Sequence, residues 1–474
     1  MSEIATLAPQ SVWSFFDLIC SIPHISKHEA ALAAKLAETA RDAGLKVICD
    51  DAGNVIIHRE ASPGFENAPR IIMQAHMDMV PASKNEFDFI NTPITPVIDG
   101  EWVHAMGTTL GSDDGIGVAH AMAVITDKDF KCGALTVLLT ADEEAGMSGA
   151  KNLDPAHLAG KYMLNLDGSD HGFCIACAGG LRQETTFIPE YIPAPEGRTV
   201  RITISGLPGG HSGGCIHEDR GNALKFLADF LDCQPAIHVA AINGGNADNA
   251  IPAEAEALAV TTLAPEELQK QFDAYVLLLK KECAGAKDVL LTASETEEIS
   301  HVWSEKFRTD LLSAMALIPN GAMDFDDELK IVKTSSNLAM INTEKDKVVI
   351  RTSQRSLSDE CREEIAARIR THFDLFGGKS EPQAEYPATP PKKDSSLLKK
   401  AVACADKHGR NSTPYAIHAG LETGWFSMKN PELEIISCGP DHTDLHTPYE
   451  KLNIASVGKF DTFLRELLLE LIQA

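Results

Sequence analysis

Five short stretches of this chain put carboxylates and imidazoles at the ends of apolar runs. In "QAHMDMV", His76 and Asp78 stand two residues apart, which in a strand points both to the same face. "LGSDDG" places Asp113 and Asp114 at a helix start, and "LLTADEEAG" places Asp142, Glu143 and Glu144 just after a buried run. "LNLDGSD" carries Asp167, and "GPDHTDLHTPYE" adds His442, Asp444 and His446. Each alone has an ordinary explanation. Acids suit the first turn of a helix, Asp-Gly is a common turn, and a single histidine often just bonds a carbonyl. Gathered in one crevice, they would repel each other unless cations neutralised them. Mixed imidazole and carboxylate ligation suits zinc, or manganese or cobalt in the same site. Cations held in this way can lower the pKa of a bound water and polarise a carbonyl.

Something must bring these stretches together. The first 180 residues alternate helical and strand patterns: "SVWSFFDLICSI" and "KHEAALAAKLAETARDAG" read as amphipathic helices, and "KVICDDAGNVIIHRE" as a hairpin turning at 51–54. Apolar strands at 70–75, 133–140 and 161–166 follow, with a helix from about 113. Continuous apolar strands interleaved with helices indicate a largely parallel sheet covered on both faces. In such a sheet the carboxyl ends of the strands face one crevice, which is where the acidic stretches fall.

The rhythm changes after the Pro-rich "FIPEYIPAPEGR", which reads as a linker. From 199 a β-α-β-β-α-β order appears, ferredoxin-like, and 304–386 echoes it in part. After "EYPATPPKKDS" come a helix, a buried strand at 434–438 and a closing helix that fit the first domain again. The expected organisation is therefore α/β: a discontinuous catalytic domain, 1–187 with 388–474, and an inserted α+β lid of two ferredoxin-like halves, 188–387.

The chain has 474 residues, 44% hydrophobic, and a formal net charge of −26. That charge argues against nucleic acid or an anionic membrane surface as partner. No apolar run reaches membrane-spanning length, and the N-terminus lacks the pattern of a secretory signal. Eleven cysteines without framework spacing suit a reducing cytoplasm. The Cys174 and Cys177 pair lies in an apolar stretch and reads as buried thiols.

In chain order, "QAHMDMV", "GTTLGSDDGIGVA", "TADEEAGMSGA", "NLDG" and "HTPYE" resemble the motifs of the co-catalytic di-zinc metallopeptidase family. Its members include carboxypeptidases, tripeptidases and acyl-amino-acid deacylases. "GLPGGHSGGCI" and "AIHAGLETG" look like its bacterial dipeptidase branch. The resemblance spans essentially the whole chain. It implies two divalent ions, Zn2+ first, with Mn2+ or Co2+ able to substitute. His76 and Asp167 would hold one, Glu144 and His446 the other, and Asp113 would bridge them; His442 competes with His446 but lies outside "HTPYE". The Asp78 carboxylate would accept a hydrogen bond from the second ring nitrogen of His76. Glu143 would be the general base, and His211 in "GGHSGG" would stabilise the oxyanion.

The same resemblance gives Arg355 the substrate's terminal carboxylate, with Arg351 as rival, and completes that pocket with Asn249 and the backbone at Gly420. It implies a cis Asp113–Asp114 peptide bond. The expected substrates are unblocked dipeptides, Xaa-His and related. The alternatives are an N-acyl-amino-acid deacylase, a longer-peptide exopeptidase on the same metal core, or an inactive metal-dependent binding relative, against which Glu143 counts. A doubled inserted domain could supply internally what a dimer partner supplies elsewhere in the family, so monomer and homodimer both stay open.

Overall fold

Strand Ile71–His76 is buried at all six positions, the pattern of a strand covered on both faces. In the computed structural model, which describes residues 2–473, it lies inside an eight-stranded sheet. Across that sheet the order is Lys46–Cys49, Val55–Arg59, Leu135–Thr140, Ile71–His76, Tyr162–Asn165, Glu434–Ser437, Phe173–Cys177 and Pro414–Ile417. The four strands Leu135–Thr140, Ile71–His76, Tyr162–Asn165 and Glu434–Ser437 run parallel. Lys46–Cys49, Val55–Arg59 and Phe173–Cys177 join antiparallel to their inner neighbours, including the hairpin that turns at 51–54. The sheet is thus mixed, with a parallel centre, and that centre carries four of the five acidic stretches named above; the fifth, with Asp113 and Asp114, opens helix Ser112–Thr126. His76 ends one strand, Asp142 to Glu144 follow a second, Asp167 follows a third, and the segment to His446 follows the fourth.

Helices Gln10–Cys20, Ala30–Asp42, Ser112–Thr126, Ser396–Lys407 and Ile454–Ile472 belong to the same unit. Ser112–Thr126 is buried along almost its whole length, as its apolar sequence requires. Trp13, Phe16, Phe460 and Phe463 fill this core; each large buried side chain contributes roughly 1.5–3 kcal/mol. A small sheet, His442–Thr443, Lys451–Asn453, Trp102–Ala105 and Pro96–Asp99, fixes both ends of the loop that carries His446.

By internal contacts this first unit comprises Met1–Ala176, Thr389–Ala416 and Leu421–Ala474, and the second comprises Cys177–Ala388 with Ile417–Gly420. The boundary expected at 187/188 falls inside the second unit. Strand Gly179–Phe187 pairs with Val348–Ser356 and Lys379–Tyr386 there. The Pro-rich stretch read as a linker forms a short strand, Tyr191–Pro193, paired with His301–Trp303.

The second unit is built on one antiparallel sheet of nine strands. Strands Leu290–Glu295, Arg198–Ser205, Ala255–Thr261 and Ile237–Gly244 take the spatial order of a ferredoxin-like half, with helices Ala223–Asp232 and Pro265–Glu282. The other half is Ile331–Thr343, Val348–Ser356, Gly179–Phe187 and Lys379–Tyr386, with helices Glu305–Leu317 and Asp359–Leu375. Its first strand precedes the whole of the other half in sequence. That explains why 304–386 looked like an incomplete echo: the missing strand is 179–187. One apolar core, including Leu227, Phe230, Phe272, Trp303, Leu338 and Phe373, runs beneath both halves. Among the described residues no helix is long and apolar enough to cross a membrane.

Candidate metal centre

The exits of the parallel strands turn sharply. After Leu135–Thr140, Asp142 adopts a left-handed backbone (φ 61) and the chain enters the short helix Glu143–Gly146. His446 is left-handed too (φ 60). Non-glycine residues hold this region at some cost, which functional sites commonly bear. The Asp113–Asp114 peptide bond is cis, as the resemblance implied.

Asp113 divides its two carboxylate oxygens between two imidazoles. Oδ1 lies 3.2 Å from His76 Nε2, and Oδ2 lies 3.1 Å from His446 Nε2. Glu144 Oε1 is 2.7 Å from His446 Nε2. His76, Asp113 and Asp167 offer one set of mutually close ligand atoms; Asp113, Glu144 and His446 offer another. His442 sits in the small sheet, paired with Leu452, outside both sets.

Electrostatics say what this cluster needs. Burial pushes Glu143 and Asp167 well above the ordinary carboxylate range, and neighbouring carboxylates push the same way. Burial alone would lower His76, but Asp113 and Asp78 hold it well above its ordinary value. The neighbouring carboxylates of Asp113 and Glu144 lift His446 to about 11. Asp113 is held well below its usual range despite burial, by the two histidines. The Oε1 of Glu144 is buried and makes no hydrogen bond, its contact to His446 being poorly aligned. Positive charge is what the cluster lacks. The donor set and the orphaned oxygen both fit divalent cations.

Asp78 departs from expectation. The Nδ1 of His76 is nearest the backbone carbonyl of Asp78, at 3.0 Å, while the carboxylate Oδ1 is 3.5 Å away. The carboxylate instead accepts from the backbone amides of Glu143 (2.9 Å) and Glu144 (3.0 Å) and from the Ser26 hydroxyl (2.7 Å). Burial would raise Asp78, yet His76 and these donors bring it down to about 2. It anchors the turn that presents Glu143 and Glu144 as well as the histidine.

Glu450 closes "HTPYE", and its position beside His446 in that motif was the available signal for a role that reading the sequence missed. Its buried carboxylate accepts from the amides of Leu110 (2.9 Å), Gly111 (3.2 Å), Ser112 (2.7 Å) and Asp113 (3.4 Å) and from the Ser112 hydroxyl (2.6 Å). The His446 segment is thereby tied to the Asp113 segment. Beneath them Glu422 accepts from Gln74 and Thr140, and burial raises it to about 7. Another potential ligand group, Cys404, His408 and Glu466, is already balanced. Lys407 and His408 reach Glu466 at 3.7 and 2.7 Å, and burial lifts the Cys404 thiol to about 11.

The remaining expected residues lie in the second unit. His211 Nδ1 accepts from the amides of Gly213 (3.2 Å) and Gly214 (3.1 Å), so its proton sits on Nε2. Desolvation and the Arg355 charge lower its pKa, which keeps the ring neutral and a donor. His211 and Asn249 line one cavity of about 640 Å³. Arg351 is spoken for: its Nε donates to Glu184 at 3.0 Å on an exposed face. Arg355 is 6% exposed, and its Nε is buried without a hydrogen-bond partner. Its Nη1 donates to the hydroxyl of Tyr386 at 2.7 Å. Among the described residues, no ion pair joins Arg355 to a carboxylate, and a buried unpaired guanidinium is costly. Gly420 packs against the ring of Tyr386.

Comparison with known proteins gives a consistent picture. The model of the "Peptidase family M20/M25/M40" matches residues 72–470. A protein called cytosol non-specific dipeptidase, from Escherichia coli strain K12, is 38% identical over 483 residues, covering 99% of each chain. The crystal structure of aminoacylhistidine dipeptidase from Vibrio alginolyticus superposes with a TM-score of 0.89 at 38% identity, covering 99% of this chain and 98% of the other. An aminopeptidase from Bacillus cereus, 18% identical, shares the fold with a TM-score of 0.62 over 99% of this chain and all of the other.

Proposed function

The chain belongs to peptidase family M20/M25/M40, and from that premise we propose that it is a metal-dependent dipeptidase, cleaving unblocked dipeptides with Xaa-His among them. One observation carries the metal reading: Asp113 offers one oxygen to the His76 side and the other to the His446 side, as a bridging ligand must. His76 and Asp167 would hold one ion and Glu144 and His446 the other, with Zn2+ the first choice and Mn2+ or Co2+ as substitutes. Two such ions, when bound, would lower the pKa of a water and polarise a carbonyl.

The chain's own groups do the rest. Glu143, whose carboxyl burial and nearby acids make a readier proton acceptor, takes a proton from the water and returns it to the leaving amine. Asp78 holds Glu143 in place through its amide. His211 stabilises the developing oxyanion by a hydrogen bond from its Nε2–H. Arg355, buried and without a carboxylate partner, binds the substrate's terminal carboxylate through charge-assisted bonds, and Asn249 and the Gly420 backbone complete its pocket. A cytoplasmic setting suits the eleven cysteines, which are scattered without framework spacing.

The experiment is Glu143→Ala, assayed on a panel of dipeptides, their N-acyl derivatives and tripeptides, with metal content measured alongside. Expected are two retained metal equivalents, turnover down by at least about a thousandfold, and wild-type preference for free dipeptides. Wild-type preference for N-acyl substrates would make the protein a deacylase, and substantial turnover in the variant would place the base elsewhere.

A further inference from the structure

Three residues directly opposed across neighbouring strands connect Arg355 to the return segment of the chain. Arg355 pairs with Gly180, and Gly180 pairs with Tyr386. Arg355 and Tyr386 therefore flank a glycine, one strand away on either side, and their side chains meet above it. A Cβ at Gly180 would lie 2.4 Å from Tyr386 Cζ and 2.5 Å from its hydroxyl oxygen. A Cβ at Gly420 would lie 2.4 Å from the same ring, at Cε2. The backbone of Tyr386 is fixed as well, its carbonyl accepting from Arg362 Nη1 at 2.5 Å.

We propose that Tyr386 is the positioning residue of the carboxylate anchor: its hydroxyl aims the Arg355 guanidinium, and Gly180 and Gly420 are glycine because its ring lies against both. The inference rests on the reading of Arg355 given above.

The choice of a phenol has a physical reason. A carboxylate at this place would orient the guanidinium equally well but would also neutralise it, and an anionic substrate would then have to compete with an internal ion pair. A phenol accepts one N–H and leaves the charge unspent. His418 behaves in keeping with this. Its Nε2 is 2.7 Å from the Ser335 hydroxyl, and burial together with Arg355 holds the ring neutral. Arg355 is then the positive charge of this cluster, held in one direction by a neutral group. Arg351 shows the contrast, paired to Glu184 and electrostatically satisfied.

The test is steady-state kinetics on one dipeptide and its C-terminal amide, with wild type, Tyr386→Phe, Gly180→Ala and Arg355→Ala, all fully metal-loaded. Tyr386→Phe should raise KM for the dipeptide roughly three- to tenfold, leaving its kcat and the amide's kcat/KM unchanged. Gly180→Ala, by displacing the ring, should do the same. Thermal midpoints of both variants are measured, because a purely structural role would lower them and weaken acid and amide alike. If Arg355→Ala selectively loses the dipeptide while Tyr386→Phe matches wild type, the positioning role is overturned and the anchor stands. Equal loss on acid and amide in Arg355→Ala removes the anchor itself, and the proposal with it.

Discussion

At the scale of single residues, Asp78 joins both Glu143 and Glu144 to the His76 segment. Its two oxygens accept from the Glu143 and Glu144 amides, and its carbonyl is the nearest acceptor for His76 Nδ1. Asp78→Asn keeps the size but has one acceptor oxygen, so one of the two amides loses its partner. A hydrogen bond to a charged group is worth about 1.5–3 kcal/mol, and kcat should fall by roughly ten- to a hundredfold with both metals retained. Unchanged kcat would show that the turn holds its shape without this carboxylate. His418 offers a pH test. Burial first, then Arg355, lowers it to about 3 from 6.5. As pH falls below 6.5 the unfolded chain takes up the proton before the folded one, so stability drains between pH 6.5 and 3. His418→Gln should flatten that slope by at most about 3 kcal/mol between pH 7 and 4, read from urea midpoints. Parallel slopes would mean the ring is protonated at little cost. The residues with metal-binding chemistry were legible in the sequence because each sat in a distinctive motif. Which oxygen of Asp78 faces the histidine was not legible, since carbonyl and carboxylate of one residue read identically in sequence.

At the scale of elements, ligands depend on how segments are tied, and here Glu450 matters most. It gathers the amides from Leu110 to Asp113 that open helix Ser112–Thr126, where an anion also suits the helix dipole. Glu450→Gln should weaken metal retention by about ten- to a hundredfold, measured by chelator competition. A lower melting temperature with unaltered metal affinity would reduce Glu450 to a helix cap. The parallel strands were readable from their apolar runs, and so was their crevice of acids. The boundary near 187 was not, because "FIPEYIPAPEGR" has linker composition while Tyr191–Pro193 forms a short edge pairing that tolerates proline. Strand Gly179–Phe187 was misplaced for a related reason. Local pattern declares a strand but not its partners, and these lie more than 160 residues away in sequence.

At the scale of the whole molecule, the candidate ligands all belong to the first unit. Metal bound only by the folded state stabilises it by mass action. Chelation should therefore cost amide-exchange protection in Ile71–His76, Leu135–Thr140 and Tyr162–Asn165, while Ile331–Thr343 and Val348–Ser356 keep theirs. Hydrogen-exchange mass spectrometry with and without chelator decides it, and uniform loss across both units would contradict it. The nested arrangement of the second unit bears on how the protein is made. On the ribosome, strand Gly179–Phe187 emerges early, but neither of its neighbours exists until Val348–Ser356 and Lys379–Tyr386 have been synthesised. Meanwhile the half spanning 198–295 has all its own strands and can close first. A nascent chain stalled near 300 should thus hold a protease-resistant half beside a strand whose backbone N–H and C=O groups have no partner strand on either side. That waiting strand is where a holdase would bind and where aggregation would begin.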